Sequence, residues 1–250
     1  MKDKNVYNLR YNEDDCSNTN DKHIAPDLKK IEELCGKNIK TFARGSYFAL
    51  ALTEEGEVYF WKFDKYNFTE RGPVKSTPIR VSGFSTKRIV NIACGDVLFL
   101  FLTTDGEVYA WEDNIRQYVN ITTFNGIVRQ VKHGLEKKNI VHIACGNRSN
   151  IAVTDENIIY NWGDNMDGRI SIQRQHYYEY PRKIIRISDK IVKVVCGCAH
   201  MLALTNKGKI YAWGNVYGQV GVNNNLISSD PIVVNVPQMG KVLNLDAYAI

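Results

Sequence analysis

Two residue types recur through this chain with one shared period. Gly45, Gly95, Gly146 and Gly197 are separated by 50, 51 and 51 residues, and Trp61, Trp111, Trp162 and Trp213 keep the same spacings. These four are all the tryptophans of the 250-residue chain. Two independent markers holding one period through four copies mean a fold built by repetition, from a unit too small to bury a core alone.

Each copy reads as strands. The first run, such as Ile89–Gly95, is apolar and β-branched and ends in small residues, which suits a place where strands converge near an axis. The second run, such as His200–Thr205, leads into a turn, and the third, such as Lys209–Gly214, puts Tyr211 and Trp213 on one face and Ile210 and Ala212 on the other. Apolar residues on both faces mean a strand covered on both sides. The fourth, such as Pro231–Val236, opens on a proline, which belongs at a strand start or on an outer edge. Between the second and third runs stand Gly56, Gly106 and Gly208, with Asn157 replacing glycine in the third copy. Glycine and asparagine share a tolerance for positive φ, so the position predicts a left-handed turn residue in every copy. Four short strands per repeat of about 50 residues predict an all-β chain, a β-propeller of four-stranded antiparallel blades, partial or degenerate, with about five blades' worth of sequence.

The repeat divides the chain as one propeller-repeat domain: a half repeat over 5–38, full repeats over 39–88, 89–139, 140–190 and 191–240, and the opening of a further one over 241–250. In the half repeat, the segment Leu28–Cys35 is read as strand, against a short amphipathic helix on the spacing of Leu28, Ile31 and Leu34.

Composition excludes several function classes. The net charge is +5, and residues 1–38 carry slightly more acidic than basic side chains, so no basic arm grips a phosphate backbone. No run approaches the roughly 18 apolar residues of a membrane-spanning helix, and Met1–Asp15 lacks the apolar core of a secretory leader. An intracellular protein is expected, cytoplasmic rather than nuclear, without membrane insertion. Cys94, Cys145 and Cys196 each precede the repeat glycine, where a small apolar residue fits. Cys198 makes a C-x-C with Cys196, but no second Cys/His pair stands at zinc spacing. His23, His133, His142 and His176 form no pattern with a nucleophile, and phosphate-loop, serine-hydrolase and metalloprotease motifs are missing from the sequence. The expectation is a chain that is not an enzyme and needs no cofactor or metal.

The run Cys196–Gly221, "CGCAHMLALTNKGKIYAWGNVYGQVG", resembles the regulator-of-chromosome-condensation repeat, and the resemblance covers residues 5–250. "IEELCGKNIKTF" (Ile31–Phe42) and the blade sequences are most similar to members that carry a C-terminal BTB domain. The resemblance implies a propeller, seven-bladed in the family, and gives His200 a packing role. This chain departs from the pattern: Lys62 and Glu112 replace the glycine after tryptophan in copies one and two, and only copy four keeps the His200 and Gly218–Gly221 features. The scaffold is thus better kept than the loops, where propellers bind.

One stretch stands out locally. Arg169–Arg186 combines Arg174 and Arg182 with Tyr177, Tyr178 and Tyr180 in the expected connection between third and fourth strands, and aromatic residues with arginine are typical interface anchors. The competing reading is a connection whose tyrosines cover the blade edge while its charges face water. The family resemblance implies a protein-interaction scaffold or adaptor presenting propeller loops to a protein partner. The alternative is guanine-nucleotide exchange on a small GTPase, which some relatives perform. The partner is therefore a protein, with a small GTPase or a ubiquitin-ligase component as candidates, and no specific nucleic acid.

Overall fold

The computed structural model describes residues 5–10, 27–45, 48–62, 77–84, 86–96, 98–112, 127–165, 170, 175–215, 227–234, 242 and 244. A two-stranded antiparallel unit, β1 (Tyr7–Arg10) and β2 (Asp27–Lys30), comes first. Four sheets follow, each of four antiparallel strands joined in sequence order. Sheet one holds β3 (Ile39–Arg44), β4 (Phe48–Thr53), β5 (Val58–Lys62) and β6 (Ile79–Arg80). Sheet two holds β7 (Ile89–Cys94), β8 (Phe99–Thr103), β9 (Val108–Glu112) and β10 (Ile127–Gln130). Sheet three holds β11 (Ile140–Cys145), β12 (Ser149–Thr154), β13 (Ile158–Asp164) and β14 (Tyr177–Arg186). Sheet four holds β15 (Ile191–Cys196), β16 (His200–Thr205), β17 (Ile210–Asn215) and β18 (Ile227–Val234). Leu28–Cys35 is divided between the two readings of the sequence, with β2 ending at Lys30 and a 3-10 turn over Glu32–Leu34 that buries Leu34.

The core lies between sheets. Leu50, Phe60, Phe99, Phe101 and Trp111 form one cluster between sheets one and two. Leu100, Val108, Ala152, Tyr160 and Trp162 join sheets two and three, and Ile151, Ile159, Met201 and Trp213 join sheets three and four. The alternation of the third strands explains this order. Each Tyr-x-Trp pair faces the preceding sheet, and the residues between them face the next. Phe60 and Trp111 meet across the first such interface with centroids 4.8 Å apart. Phe84, Leu135 and Ile187, on the connections between sheets, plug the three interfaces from the outside.

Backbone meets backbone at the inner ends of the sheets. A Cβ on Gly45 would fall inside the carbonyl oxygen of Gly95, and one on Gly95 inside that of Gly146. On Gly146 it would stand 2.8 Å from the carbonyl oxygen of Gly197, and at Gly197 the ring of His200 occupies the space. The amide of each of these glycines donates to the residue three further on, at 2.9, 2.8, 2.7 and 2.8 Å. The first strands also share a register shift at one phase, between Ile39 and Thr41, Ile89 and Asn91, Ile140 and His142, and Ile191 and Lys193. A repeated bulge of this kind bends each inner strand in the same way.

The turn between second and third strands is also common to all copies. Gly56, Gly106, Asn157 and Gly208 have φ of +87°, +73°, +62° and +78°. Buried Thr53, Thr103, Thr154 and Thr205 close it by accepting, at Oγ1, the amide four residues later at 3.1, 3.1, 3.1 and 3.2 Å. Asn157 adds a bond that glycine cannot make: its Oδ1 accepts the Ile191 amide of sheet four at 3.0 Å.

Two of these turns, in sheets two and four, are tied to the entry of their own sheets by ion pairs of opposite polarity. In sheet two, Lys87 lies 2.7 Å from Asp105 and 3.2 Å from Glu107. In sheet four, at positions 102 residues further along, Asp189 lies 2.6 Å from Lys207 and 3.2 Å from Lys209. Hydrogen bonds from Lys207 and then Lys209 hold the Asp189 carboxyl below the usual carboxylate range.

Burial of the four indoles is unequal. Trp111, Trp162 and Trp213 are buried, but Trp61 is half-buried, edge-on to exposed Phe42 at 6.3 Å and packed toward Val6, Ile31 and Leu34. Trp213→Ala is expected to cost about 3–5 kcal/mol in urea unfolding, and Trp61→Ala about 1–2 kcal/mol. Equal losses would contradict the packing order. For the ion pairs, Asp189→Lys is expected to lower Tm by roughly a few degrees. Adding Lys207→Asp and Lys209→Glu recreates the arrangement of sheet two and should recover most of that loss.

Candidate functional site

The first strands of all four sheets line an axial cavity of about 320 Å³. Cys94, Cys145 and Cys196 stand along it, and burial pushes the Cys94 thiol up to about 12 and Cys145 well above its ordinary value. Protonated thiols of this kind pack rather than attack or ligate. Cys94 donates weakly to the Phe48 carbonyl, 3.6 Å away. Among the described residues no three His, Cys, Asp or Glu side chains are placed to hold a metal, and no helix is long and apolar enough to cross a membrane. Arg44, His142 and Lys193 supply the polar lining. The inner edges are stapled between sheets by side chains, as Lys40 donates to the Val90 carbonyl at 3.1 Å and His142 Nε2 to that of Ile191 at 3.1 Å. A carbonyl only accepts, so this contact requires the Nε2–H tautomer of His142.

A second surface lies on the outer rim. Tyr177, Tyr178, Tyr180 and Arg182 belong to β14 itself rather than to the connection before it. Pairing explains this. Tyr177 and Tyr178 are opposite Asp164 and Gly163, and the register shift past Asn161 carries Arg182 opposite Asn161. Tyr178 is 3% exposed, whereas Tyr177 and Tyr180 are 53% and 50% exposed. Arg182 lies over the Tyr178 ring at 4.6 Å. The tyrosines thus divide between the two sequence readings, one covering the blade and two facing out. Arg174 lies outside the described residues, as does Gly218–Gly221.

The connection between sheets two and three, residues 131–139, docks on this strand. His133 meets Tyr180 edge-to-face at 5.0 Å, and a Cβ on Gly134 would stand 2.6 Å from the Pro181 carbonyl oxygen. Leu135 anchors the segment in the core. Lys132, Lys137, Lys138, Arg182 and Lys183 are exposed, and among the described residues the ion pair here is His133 with Glu136 at 3.7 Å. Lys137 adopts a φ of +56°. That conformation costs a residue with a Cβ about 1–2 kcal/mol.

The repeat glycines, tryptophans and turn residues are structural positions, as is His200, whose ring packs beside Gly197. Two groups escaped the sequence reading. The buried threonines were visible as a residue common to all four turn segments. Asn165 was not: its Oδ1 accepts the Ile170 amide at 2.8 Å, and its Nδ2 donates to the Gln175 carbonyl at 2.9 Å, fixing the approach to β14.

Comparison with known proteins accounts for this architecture. Residues 156–204 and 191–219 match models described as the regulator of chromosome condensation (RCC1) repeat. Residues 156–219 thus carry sequence that matches the RCC1 repeat. The ultraviolet-B receptor UVR8 of Arabidopsis thaliana is 32% identical over 224 residues, covering 86% of this chain and 50% of UVR8. The E3 ubiquitin-protein ligase HERC2 of Homo sapiens is 26% identical over 186 residues, covering 72% of this chain and 4% of HERC2. The chain therefore spans half of the first relative and a small part of the second. Human WBSCR16 superimposes with a TM-score of 0.70 at 20% identity, covering 93% of this chain and 62% of that one. Yeast RCC1 (Prp20), in its structure with Kap60, gives 0.68 at 20% identity, covering 90% and 56%. The fold of this chain is an all-β propeller of four-stranded antiparallel blades.

His142 gives that fold a pH dependence. Burial lowers its pKa from the ordinary 6.5, against the opposing hydrogen bond to Ile191. As pH falls, the unfolded chain takes up this proton before the folded one. The stability of the neutral ring is therefore present above about pH 6.5 and lost as pH falls through the folded value. Tm should fall between about pH 7.5 and 5.5, and fall less in His142→Asn, which places there the residue of sheet two, Asn91.

Proposed function

We propose that this chain is a non-enzymatic protein-interaction module, a rigid stack of blades that presents its rim to a protein partner. The observation that carries the reading is the pair of half-exposed rings, Tyr177 and Tyr180, on an outer strand held by buried Tyr178 and by the Tyr178–Arg182 stack. Large amphipathic rings fixed in place supply contact area at little entropic cost. In the axial cavity, burial pushes the Cys94 and Cys145 thiols toward the protonated form, which favours packing over nucleophilic chemistry. The relatives support a regulatory or adaptor role in kind. One structural neighbour, Prp20p of Saccharomyces cerevisiae, is described with its binding to Gsp1p and histones, and HERC2 is named as a ubiquitin ligase. A small GTPase or a ubiquitin-ligase component is accordingly the partner class to try first. The reading includes an intracellular setting, consistent with free thiols at Cys35, Cys94, Cys145, Cys196 and Cys198, and kinship with the family members that carry a C-terminal BTB domain.

The test is affinity capture from cell extract with the chain and with Tyr177→Ala/Tyr180→Ala. The variant should keep its Tm within roughly two degrees, because both rings are half-exposed, and should lose the captured partner. Unchanged capture would remove this rim from the reading. Acceleration of fluorescent nucleotide release from a small GTPase would instead make the chain an exchange factor.

A further inference from the structure

Among the described residues, several cations gather beside the exposed tyrosines. Two segments far apart in sequence, residues 131–139 and β14, are held together there by the His133–Tyr180 contact and by the close approach of Gly134 to Pro181. They expose Lys132, Lys137, Lys138, Arg182 and Lys183, with His133 and His176 among them. The same segments carry two carboxylates, Glu136 3.7 Å from His133 and Glu179 at the Tyr180 hydroxyl, against five exposed lysine and arginine side chains. Lys137 keeps its charge at a left-handed position that glycine would occupy without strain. Leu135 and Tyr178 fix the two segments in the core, so the cations stand on a preformed surface.

We propose that this joint surface binds an acidic segment of a protein partner, Glu/Asp-rich, with Tyr177 and Tyr180 packing against its apolar residues. The proposal rests on the interaction-module reading and specifies the chemistry of the partner. Side chains rather than strand addition provide the recognition, because Pro181 lies within β14 and offers no N–H to an added strand. Nucleic acid fits less well. Base stacking needs open ring faces, yet Arg182 covers Tyr178 and His133 abuts Tyr180. Exposed cations that meet a complementary chain set orientation and association rate, with a strong dependence on salt.

The experiment uses the whole chain and a fluorescein-labelled Glu/Asp-rich peptide carrying interspersed leucines, read by fluorescence anisotropy. Binding should be measurable at about 50 mM salt and weaken severalfold by about 200 mM. Lys137→Glu and Arg182→Glu should each weaken it about fivefold, while the charge-matched reversal Lys190→Glu, at another exposed site, should change it less than about twofold. All three carry their charges on exposed side chains, and an unaltered Tm for Lys137→Glu keeps the comparison valid if Arg182→Glu disturbs the Tyr178 stack. Equal weakening by all three would reduce the effect to net charge and overturn the proposal. So would absence of peptide binding at both salts, or displacement of the peptide by a single-stranded oligonucleotide at lower concentration. If partner capture still depends on Tyr177 and Tyr180 while the peptide fails to bind, the interaction module stands and the acidic partner falls.

Discussion

Blade-to-blade approach at the axis depends on the missing side chain at Gly45, Gly95 and Gly146. Each sits with its α-carbon against the backbone of the next sheet, and all three are closer to the next glycine's carbonyl than a Cβ allows. Sheets that touch backbone-to-backbone at their inner ends must splay outward as their strands add, and the splay makes room for larger side chains with distance from the axis. Small residues at the hub, leucine and isoleucine in the middle and an indole on the third strand follow that gradient. The bulge shared by all first strands and the threonine-closed turns keep the gradient in phase from copy to copy.

This geometry also explains why the rim, rather than the hub, is available for recognition. Near the axis, Lys40 and His142 are taken up by carbonyls of neighbouring blades, and burial pushes the Cys94 and Cys145 thiols toward the protonated form. At the rim the fourth strand has a neighbour on only one side. Among the described residues sheet three has the longest of these, and the connection from the preceding sheet stacks on it through His133 and Tyr180. The surface belongs to the third copy because of its particular sequence, not because of its place in the repeat.

Much of the fold was legible because glycine, asparagine and tryptophan answer to local or nearest-neighbour constraints. Asn157 in place of glycine pointed to positive φ, and its φ of +62° is the direct counterpart. The facing of Tyr211 and Trp213 away from Ile210 and Ala212 follows from strand alternation alone, and the two faces do enter different cores. The half-burial of Trp61 was not legible, because it depends on what stands before sheet one rather than on the repeat. Nor was the start of β14 at Tyr177. That boundary is set by Asn165, which pins the approach, and by bulged pairing with β13, neither of which leaves a periodic mark. The contact of residues 131–139 with β14 joins a connection to a strand, and its aromatic partners, His133 and Tyr180, carry no periodic mark.

The sign reversal between the Lys87 and Asp189 ion pairs has a consequence for how near-identical units find their partners. Repeats of similar sequence invite misassembly, in which a turn of one unit lands on the entry of another. A chain in which every unit carried the same polarity would offer no penalty against such an exchange. Here Lys87 placed against Lys207 and Lys209, or Asp189 against Asp105 and Glu107, would set like charges together. Opposite polarity in sheets two and four therefore works as a proofreading mark against the two-unit slip that the internal homology would otherwise permit.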